Sequence, residues 1–141
     1  MESTHADLAA VEKTMTFDAA PERVWRALTD PEELGVWFPD RVEDLDGTPD
    51  GWFVWDAHGR FAMRVVEAHP PRRLVWTWAR KPETALDAGP TTTVEWTLEP
   101  TSSGGTRLRL RESGFATPEA RADNDSGWDH ELGELAEHLE S

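Results

Sequence analysis

The sequence has no cysteine and no tyrosine among its 141 residues, very little lysine, and no long apolar run. The absence of cysteine excludes disulfides, thiol catalysis and cysteine-ligated metal sites. The sequence also lacks a basic segment followed by an apolar one at its start, and it has no run of about 20 apolar residues. It therefore predicts neither a signal peptide nor a membrane span, and we expect a cytoplasmic protein by default.

Basic residues are scarce beside acidic ones, at 14 against 28, and the formal net charge at pH 7 is −14. Such a charge repels the phosphates of nucleic acids and the anionic headgroups of membranes, so neither is an expected partner. What the chain does have is eight tryptophans and five phenylalanines. A few large aromatic side chains are therefore expected to build the core.

The length of the chain suits one domain with its own core. We place this domain at residues 9–141, after a loose tail at 1–8. Alternating apolar and polar side chains over residues 11–17 predict a first strand. No internal repeat or low-complexity segment interrupts the chain.

Two short helices are predicted to follow the first strand, with Pro21 and Pro31 at their first positions. Asp30 is expected to cap the second helix, with Glu33 reaching back to complete the cap. Pro39 ends this helix. The faces expected to be buried are Val24, Trp25 and Leu28 on the first helix and Leu34, Trp37 and Phe38 on the second.

The middle of the chain reads as an antiparallel meander of short runs separated by turn residues. Six strands are expected near 41–46, 51–57, 60–68, 72–80, 91–99 and 105–113. After Pro118 the spacing becomes helical, with an apolar stripe at Trp128, Leu132, Leu135 and Leu139. A helix with such a stripe must bury it, so we expect it to lie on one face of the sheet.

Several motifs in this order are shared with one known superfamily. They are the segment from Ala19 to Leu34, Trp37-Phe38-Pro39, the segment from Pro70 to Trp78, Gly104 to Leu108, Ser113-Gly114-Phe115 and Gly127-Trp128. The chain resembles the START-like SRPBCC superfamily, and within it the bacterial family similar to activators of the heat-shock-protein-90 ATPase. The resemblance implies an α+β helix-grip (Bet v-like) fold, in which a curved antiparallel seven-stranded sheet carries two short helices and a long C-terminal helix. It implies ligand binding or chaperone assistance as functions.

A two-residue turn at His58-Gly59 predicts how the two strands around it pair. The expected pairs are Asp56 with Phe61, Val54 with Met63, and Trp52 with Val65, all on one apolar face. The opposite face would then carry Phe53 and Trp55 beside Arg64. An exposed aromatic surface there, together with Phe115, would suit a protein partner.

The same alternation places side chains of the later strands under the C-terminal helix. We predict a ligand site on this face, formed by Trp52, Asp56, Phe61, Met63, Trp76, Trp78, Arg80, Trp96, Glu112, Trp128 and Leu132. Its polar members, Asp56, Arg80 and Glu112, would orient the ligand. Two interpretations stay open, because the tryptophans either surround a ligand-sized cavity or simply fill the core.

We therefore predict a non-catalytic protein that binds an apolar or aromatic small molecule and needs no cofactor. One alternative is a chaperone-accessory or other protein-partner module. Another is a cavity enzyme of cyclase or hydrolase type, with Asp56, Arg80 and Glu112 as acid, base and anion support. The sequence has no nucleophile elbow and no phosphate-binding glycine loop, so no catalytic residue is assigned.

Three residues at spacings of four, His130, Glu134 and His138, form one further stripe on the C-terminal helix. Imidazole and carboxylate groups at this spacing are candidate metal ligands. The stripe is predicted to lie on the far side of the helix from Trp128, facing water. We therefore expect charge pairing at the helix surface and no metal site.

Overall fold

The computed structural model describes residues 9–45 and 50–140, and within these ranges it contains seven strands and three helices. The elements are β1 Val11–Phe17, α1 Pro21–Thr29, α2 Pro31–Trp37, β2 Arg41–Glu43, β3 Asp50–Trp55, β4 Gly59–His69, β5 Arg73–Ala79, β6 Thr91–Pro100, β7 Thr106–Ser113 and α3 Pro118–Glu140. The expected tail at 1–8 and the end of the strand predicted at 41–46 fall outside the described residues.

The strands form one antiparallel sheet in the order β1-β7-β6-β5-β4-β3-β2. This curved sheet wraps around α3, with α1 and α2 inserted between β1 and β2, and the arrangement is the predicted helix-grip fold. Within the described residues, none of the helices is long and apolar enough to cross a bilayer.

The two short helices begin as the proline pattern predicts, because Pro21 and Pro31 each occupy the first turn. Asp30 caps α2 by accepting a hydrogen bond at 2.9 Å from the backbone N–H of Glu32. The reciprocal half of the predicted cap is wrong. The backbone N–H of Asp30 donates instead to the last turn of α1, and the Glu33 carboxylate binds Arg23 at 2.6 Å.

The predicted alternation on the last three long strands is confirmed. Leu74 of β5 pairs with Trp96 of β6, which in turn pairs with Leu110 of β7. All three side chains are buried. From α3 they are met by Trp128, Leu132 and Leu135, also buried, so the core lies between this sheet face and the helix.

The pairing of β3 with β4 differs from the predicted one. Phe53 pairs with Phe61, and the turn between the strands holds three residues because Trp55 pairs with Gly59. Gly59 has φ of +105°, a conformation that suits glycine, and it forms the first strand pair after a turn in which the His58 N–H donates to the Trp55 carbonyl at 2.8 Å. The predicted two-residue turn placed Gly59 inside the turn instead.

This error in register exchanges the two faces of β3, because a shift by an odd number of residues turns every side chain over. Phe53 lies in the core with 0% of its surface exposed, whereas it was expected on the outside. Trp55 is half-buried and packs edge-on against Phe38, also on the inner side. Trp52 was expected inside, but its ring instead lies beneath the guanidinium of Arg60. The ring centroid is 4.4 Å from Cζ of Arg60.

Candidate functional site

An open pocket of about 310 Å³ lies at one end of the grip, where α3 passes over the β3–β4 turn and the end of β5. We call it the mouth pocket. Its walls are the aromatic rings of Phe38, Trp55, Phe61, Trp78 and Trp128, and its other lining residues are His58, Arg80, Asp123, Asn124, Gly127 and Glu131. Apolar walls with a few convergent polar groups are typical of small-molecule sites.

The centre of the grip is filled by protein. The ring of Phe38 is stacked on Trp128 with 5.4 Å between centroids, and Trp128 meets Trp96 edge-on at the same distance. Trp76 and Trp96 are 5.6 Å apart. The tryptophans beneath α3 are therefore packed against one another, and the mouth pocket ends at Phe38.

A second pocket of about 330 Å³ lies on the other side of this aromatic packing, against α1. We call it the α1 pocket. Its lining is almost entirely apolar and includes Trp25, Leu34, Phe53, Met63, Val65 and Trp76. Phe38 contacts both Phe53 and Trp76, at 5.3 and 6.2 Å between centroids. The Phe38 ring is therefore part of the partition between the two pockets.

Glu112, at the end of β7, is fully buried behind the mouth pocket and accepts four hydrogen bonds. Its Oε1 accepts from Trp128 Nε1 at 2.7 Å and Asn124 Nδ2 at 2.8 Å, and its Oε2 accepts from Trp78 Nε1 at 2.9 Å and Thr92 Oγ1 at 2.5 Å. Two donors belong to the sheet and two to α3. The carboxyl group therefore fastens the helix to the sheet, and a buried acceptor satisfied in this way is stabilising.

Arg80 follows β5 and brings a largely buried cation to the mouth pocket. Its guanidinium lies 5.3 Å from the ring centroid of Trp78, and Nη2 donates to Asn124 Oδ1 at 2.9 Å. Nη1 is 4.0 Å from Oε2 of Glu112. Burial lowers the pKa of Arg80, while the charge of Glu112 acts in the opposite direction. The guanidinium has five N–H donors, and one of them binds Asn124. Within the described residues this is the one hydrogen bond that the guanidinium makes.

Glu131 of α3 lines the same pocket but was not among the site residues predicted from the sequence. Burial raises the pKa of its carboxyl group to about 7; His130 opposes this shift and Glu134 adds to it. Because folding raises this pKa above its ordinary value of 4.5, the resulting stabilisation is complete below about pH 4.5 and is lost as the pH rises through about 7. The sequence spacing could have indicated Glu131, because Asn124, Trp128 and Glu131 are four and three residues apart and therefore lie on one face of the helix.

The structure separates the eleven predicted site residues into four groups. The mouth pocket is lined by Phe61, Trp78, Arg80 and Trp128, and the α1 pocket by Met63 and Trp76. The core contains Trp96, Glu112 and Leu132 as buried residues. Neither pocket is lined by Trp52 or Asp56. Asp56 is exposed and is paired with Arg41 at 2.8 Å. The face predicted for Trp52 and Asp56 is wrong because it rested on the two-residue turn.

The histidine stripe of α3 is only partly exposed to solvent. His130 is exposed, but His138 is half-buried and its Nε2 lies 2.9 Å from Oε1 of Glu33 on α2. The expectation that the whole stripe faces water is wrong at His138, because the end of α3 packs against α2. Over residues 9–45 and 50–140, no group of three or more His, Cys, Asp or Glu side chains could hold a metal ion.

The chain is similar in structure to several solved proteins. DynU16, a protein of the dynemicin biosynthetic locus, is 27% identical with a TM-score of 0.79, over 94% of this chain and 48% of that chain. This chain thus spans about half the length of DynU16. MLL2253 from Mesorhizobium loti is 25% identical with a TM-score of 0.80, over 93% and 96% of the two chains. Aha1 from Colwellia psychrerythraea, solved as a dimer, shares the fold at 21% identity, with a TM-score of 0.76 over 92% and 95%.

No curated protein matches the chain. A family model, however, covers most of it. The model described as "Activator of Hsp90 ATPase homolog 1-like protein" matches residues 18–140, from just before α1 to the end of α3. The resemblance seen in the sequence motifs is thereby confirmed, and the chain belongs to the family of Activator of Hsp90 ATPase homolog 1-like proteins.

Proposed function

We propose that this protein binds an apolar or aromatic small molecule in the mouth pocket and releases it unchanged. The observation that carries the proposal is an open pocket of about 310 Å³ with five aromatic walls. An aromatic ligand there would bury apolar surface, worth about 25 cal/mol per Å² removed from water. Stacking on Trp78 or Trp128 would add about 0.5–1.5 kcal/mol for each ring pair.

The acid–base set suggested from the sequence is not assembled in the pocket. Glu112 is sealed from solvent and its two oxygens already accept four hydrogen bonds, which leaves it poorly placed to exchange a proton with a ligand. Asp56, the other carboxyl group of the suggested acid–base set, is paired with Arg41 at the surface. Arg80 alone of that set faces the pocket.

A protein-partner function loses two of the three aromatic side chains on which it rested, and the third, half-buried Trp55, lines the mouth pocket. Phe53 is 0% exposed and Phe115 is 5% exposed, so neither offers an aromatic contact to another protein. Among the residues that the structure describes, the exposed large apolar side chains are Val36 and Val66. The position of DynU16 in a biosynthetic locus also supports a small-molecule ligand.

N-Phenyl-1-naphthylamine, a neutral aromatic probe, is expected to bind with a Kd on the order of 10–100 µM and to quench tryptophan fluorescence. Gly127 provides the test that the probe occupies the mouth pocket. A Cβ atom at Gly127 or at Gly133 would meet nothing within 4 Å, but only Gly127 lines the pocket. We expect Gly127→Leu to weaken probe binding at least about tenfold, because its side chain would fill the pocket.

Gly133→Leu is the matched control, since it makes the same change on the same helix outside the pocket. It should leave the Kd within about twofold. Both variants should raise the free energy of unfolding by about 0.5–1 kcal/mol, because glycine disfavours a helix interior. Fluorescence titration and urea denaturation measure the two effects. Equal probe affinity in the two variants, or no probe binding to the native chain, would contradict the proposed function.

A further inference from the structure

The mouth pocket holds a cation that its surroundings leave only partly neutralised. Arg80 is 4.0 Å from Glu112, whose oxygens already serve four other donors. Asn124 takes one guanidinium N–H, and the guanidinium also lines the pocket. A desolvated guanidinium with spare donors is well suited to an anionic oxygen, because charge-assisted hydrogen bonds of this kind are short and strong.

Carboxyl groups in the same lining work against an anion. Glu131 and Asp123 both line the pocket from α3, and the chain as a whole is strongly acidic. Asp123 is exposed, so water screens its charge, but Glu131 is half-buried. Among the described residues, His130 and Glu134 on the same helix act on the charge of Glu131, and His58 is the imidazole that shares its pocket lining. Glu131 is therefore the carboxyl group whose ionisation should matter most to a bound anion.

We propose, on the basis of the function proposed above, that the mouth pocket selects aromatic ligands carrying an anionic group. The anion pairs with Arg80, and the protonation state of Glu131 sets the pH range in which such ligands bind. The neutral carboxyl group tolerates the anion, whereas the carboxylate repels it across the pocket. Because the pKa of Glu131 is about 7, this change falls near neutral pH. Binding of an anionic ligand should accordingly be accompanied by proton uptake.

Two probes with the same aromatic frame test this selectivity. They are 8-anilino-1-naphthalenesulfonate and the neutral N-phenyl-1-naphthylamine, and both keep their charge between about pH 6 and pH 8. At about pH 6 the native chain should bind the sulfonate at least about tenfold more tightly than the neutral probe, as expected for a charge-assisted contact. Arg80→Gln should reduce the ratio of the two affinities to within about twofold of unity.

The pH series tests Glu131. Between about pH 6 and pH 8 the sulfonate should lose affinity severalfold while the neutral probe does not. In Glu131→Gln the affinity for the sulfonate should be the same at both pH values, and it should equal the affinity of the native chain at the lower pH. His58→Gln is the control for the imidazole in the same lining, and it should keep the pH dependence. Isothermal titration calorimetry in buffers of different ionisation enthalpy would detect the proton uptake.

The outcomes separate the two proposals. If neither probe binds, the proposed function itself fails. If the neutral probe binds and the sulfonate is not preferred, only the selection of anions is overturned. A pH dependence that survives in Glu131→Gln but disappears in His58→Gln overturns the assignment to Glu131. Should Arg80→Gln fail to fold, Arg80→Lys replaces it, because lysine keeps the charge but lacks the planar guanidinium. A decrease of about threefold or more in the preference for the sulfonate supports its pairing with Arg80. An unchanged preference contradicts that pairing.

Discussion

Replacement of Glu112 with alanine is expected to lower the free energy of unfolding by about 3–5 kcal/mol. The change removes the common acceptor of four donors, three of them buried, among them the indole N–H groups of Trp78 and Trp128. An unsatisfied buried donor costs about 1–3 kcal/mol. The same change leaves Arg80 without its nearest counter-charge. Urea denaturation followed by tryptophan fluorescence measures the loss.

Glu112→Gln tests the role of charge and acceptors separately from size. One oxygen is replaced by an amide nitrogen that must face two donors, so a loss of about 2–4 kcal/mol is expected. Glu99→Ala is the control, because Glu99 lies at the exposed end of neighbouring β6, and it should change stability by less than about 0.5 kcal/mol. A loss below about 1 kcal/mol in Glu112→Ala would show that Glu112 does not fasten α3 to the sheet.

Phe38→Ala is expected to lower the free energy of unfolding by about 3–5 kcal/mol and to make the protein more responsive to apolar ligands. The Phe38 ring is stacked on Trp78 and Trp128 and also touches Trp76 across the partition. Its removal should enlarge the mouth pocket toward the α1 pocket, on the side where Phe53 and Trp76 stand. A larger apolar void gains more from being filled, so N-phenyl-1-naphthylamine should raise the Tm of this variant more than that of the native chain.

Phe115→Ala separates loss of packing from enlargement of the pocket. Phe115 is buried to a similar degree but lines neither pocket, so its loss should destabilise the protein without increasing the ligand response. Phe38→Leu is a milder variant for the case in which alanine prevents folding. Equal ligand-induced shifts in the Phe38 and Phe115 variants would contradict the role of Phe38 as a partition.

Most of the fold could be predicted because local signals and burial agree. Pro21 and Pro31 begin the two short helices, and the alternation through Trp76 and Trp96 indicates which face of each strand carries the large buried side chains. The face of β3 could not be predicted by alternation alone. Both of its faces carry large aromatic residues, so the register depended on the backbone conformation of Gly59.

The site was harder to predict than the fold because it depends on how much space the core leaves. The sequence indicates that Phe38 is buried, but not that its ring fills the centre of the grip. Glu131 becomes chemically distinctive only when α3 packs beside Arg80 and partly excludes water from its carboxyl group. Arg80 was found from the sequence, since it continues the inward alternation of Trp76 and Trp78 beyond the end of β5.

The most direct test of ligand binding uses the eight tryptophans, whose indole N–H groups each give one signal in a ¹⁵N-labelled sample. Only Trp55, Trp78 and Trp128 line the mouth pocket among the tryptophans of the described chain. Titration with N-phenyl-1-naphthylamine should therefore shift these three signals most and leave Trp25 of the α1 pocket and Trp52 of the outer face almost unchanged. Shifts centred on Trp25 or Trp52, or no shifts at saturating probe, would contradict a ligand site in the mouth pocket.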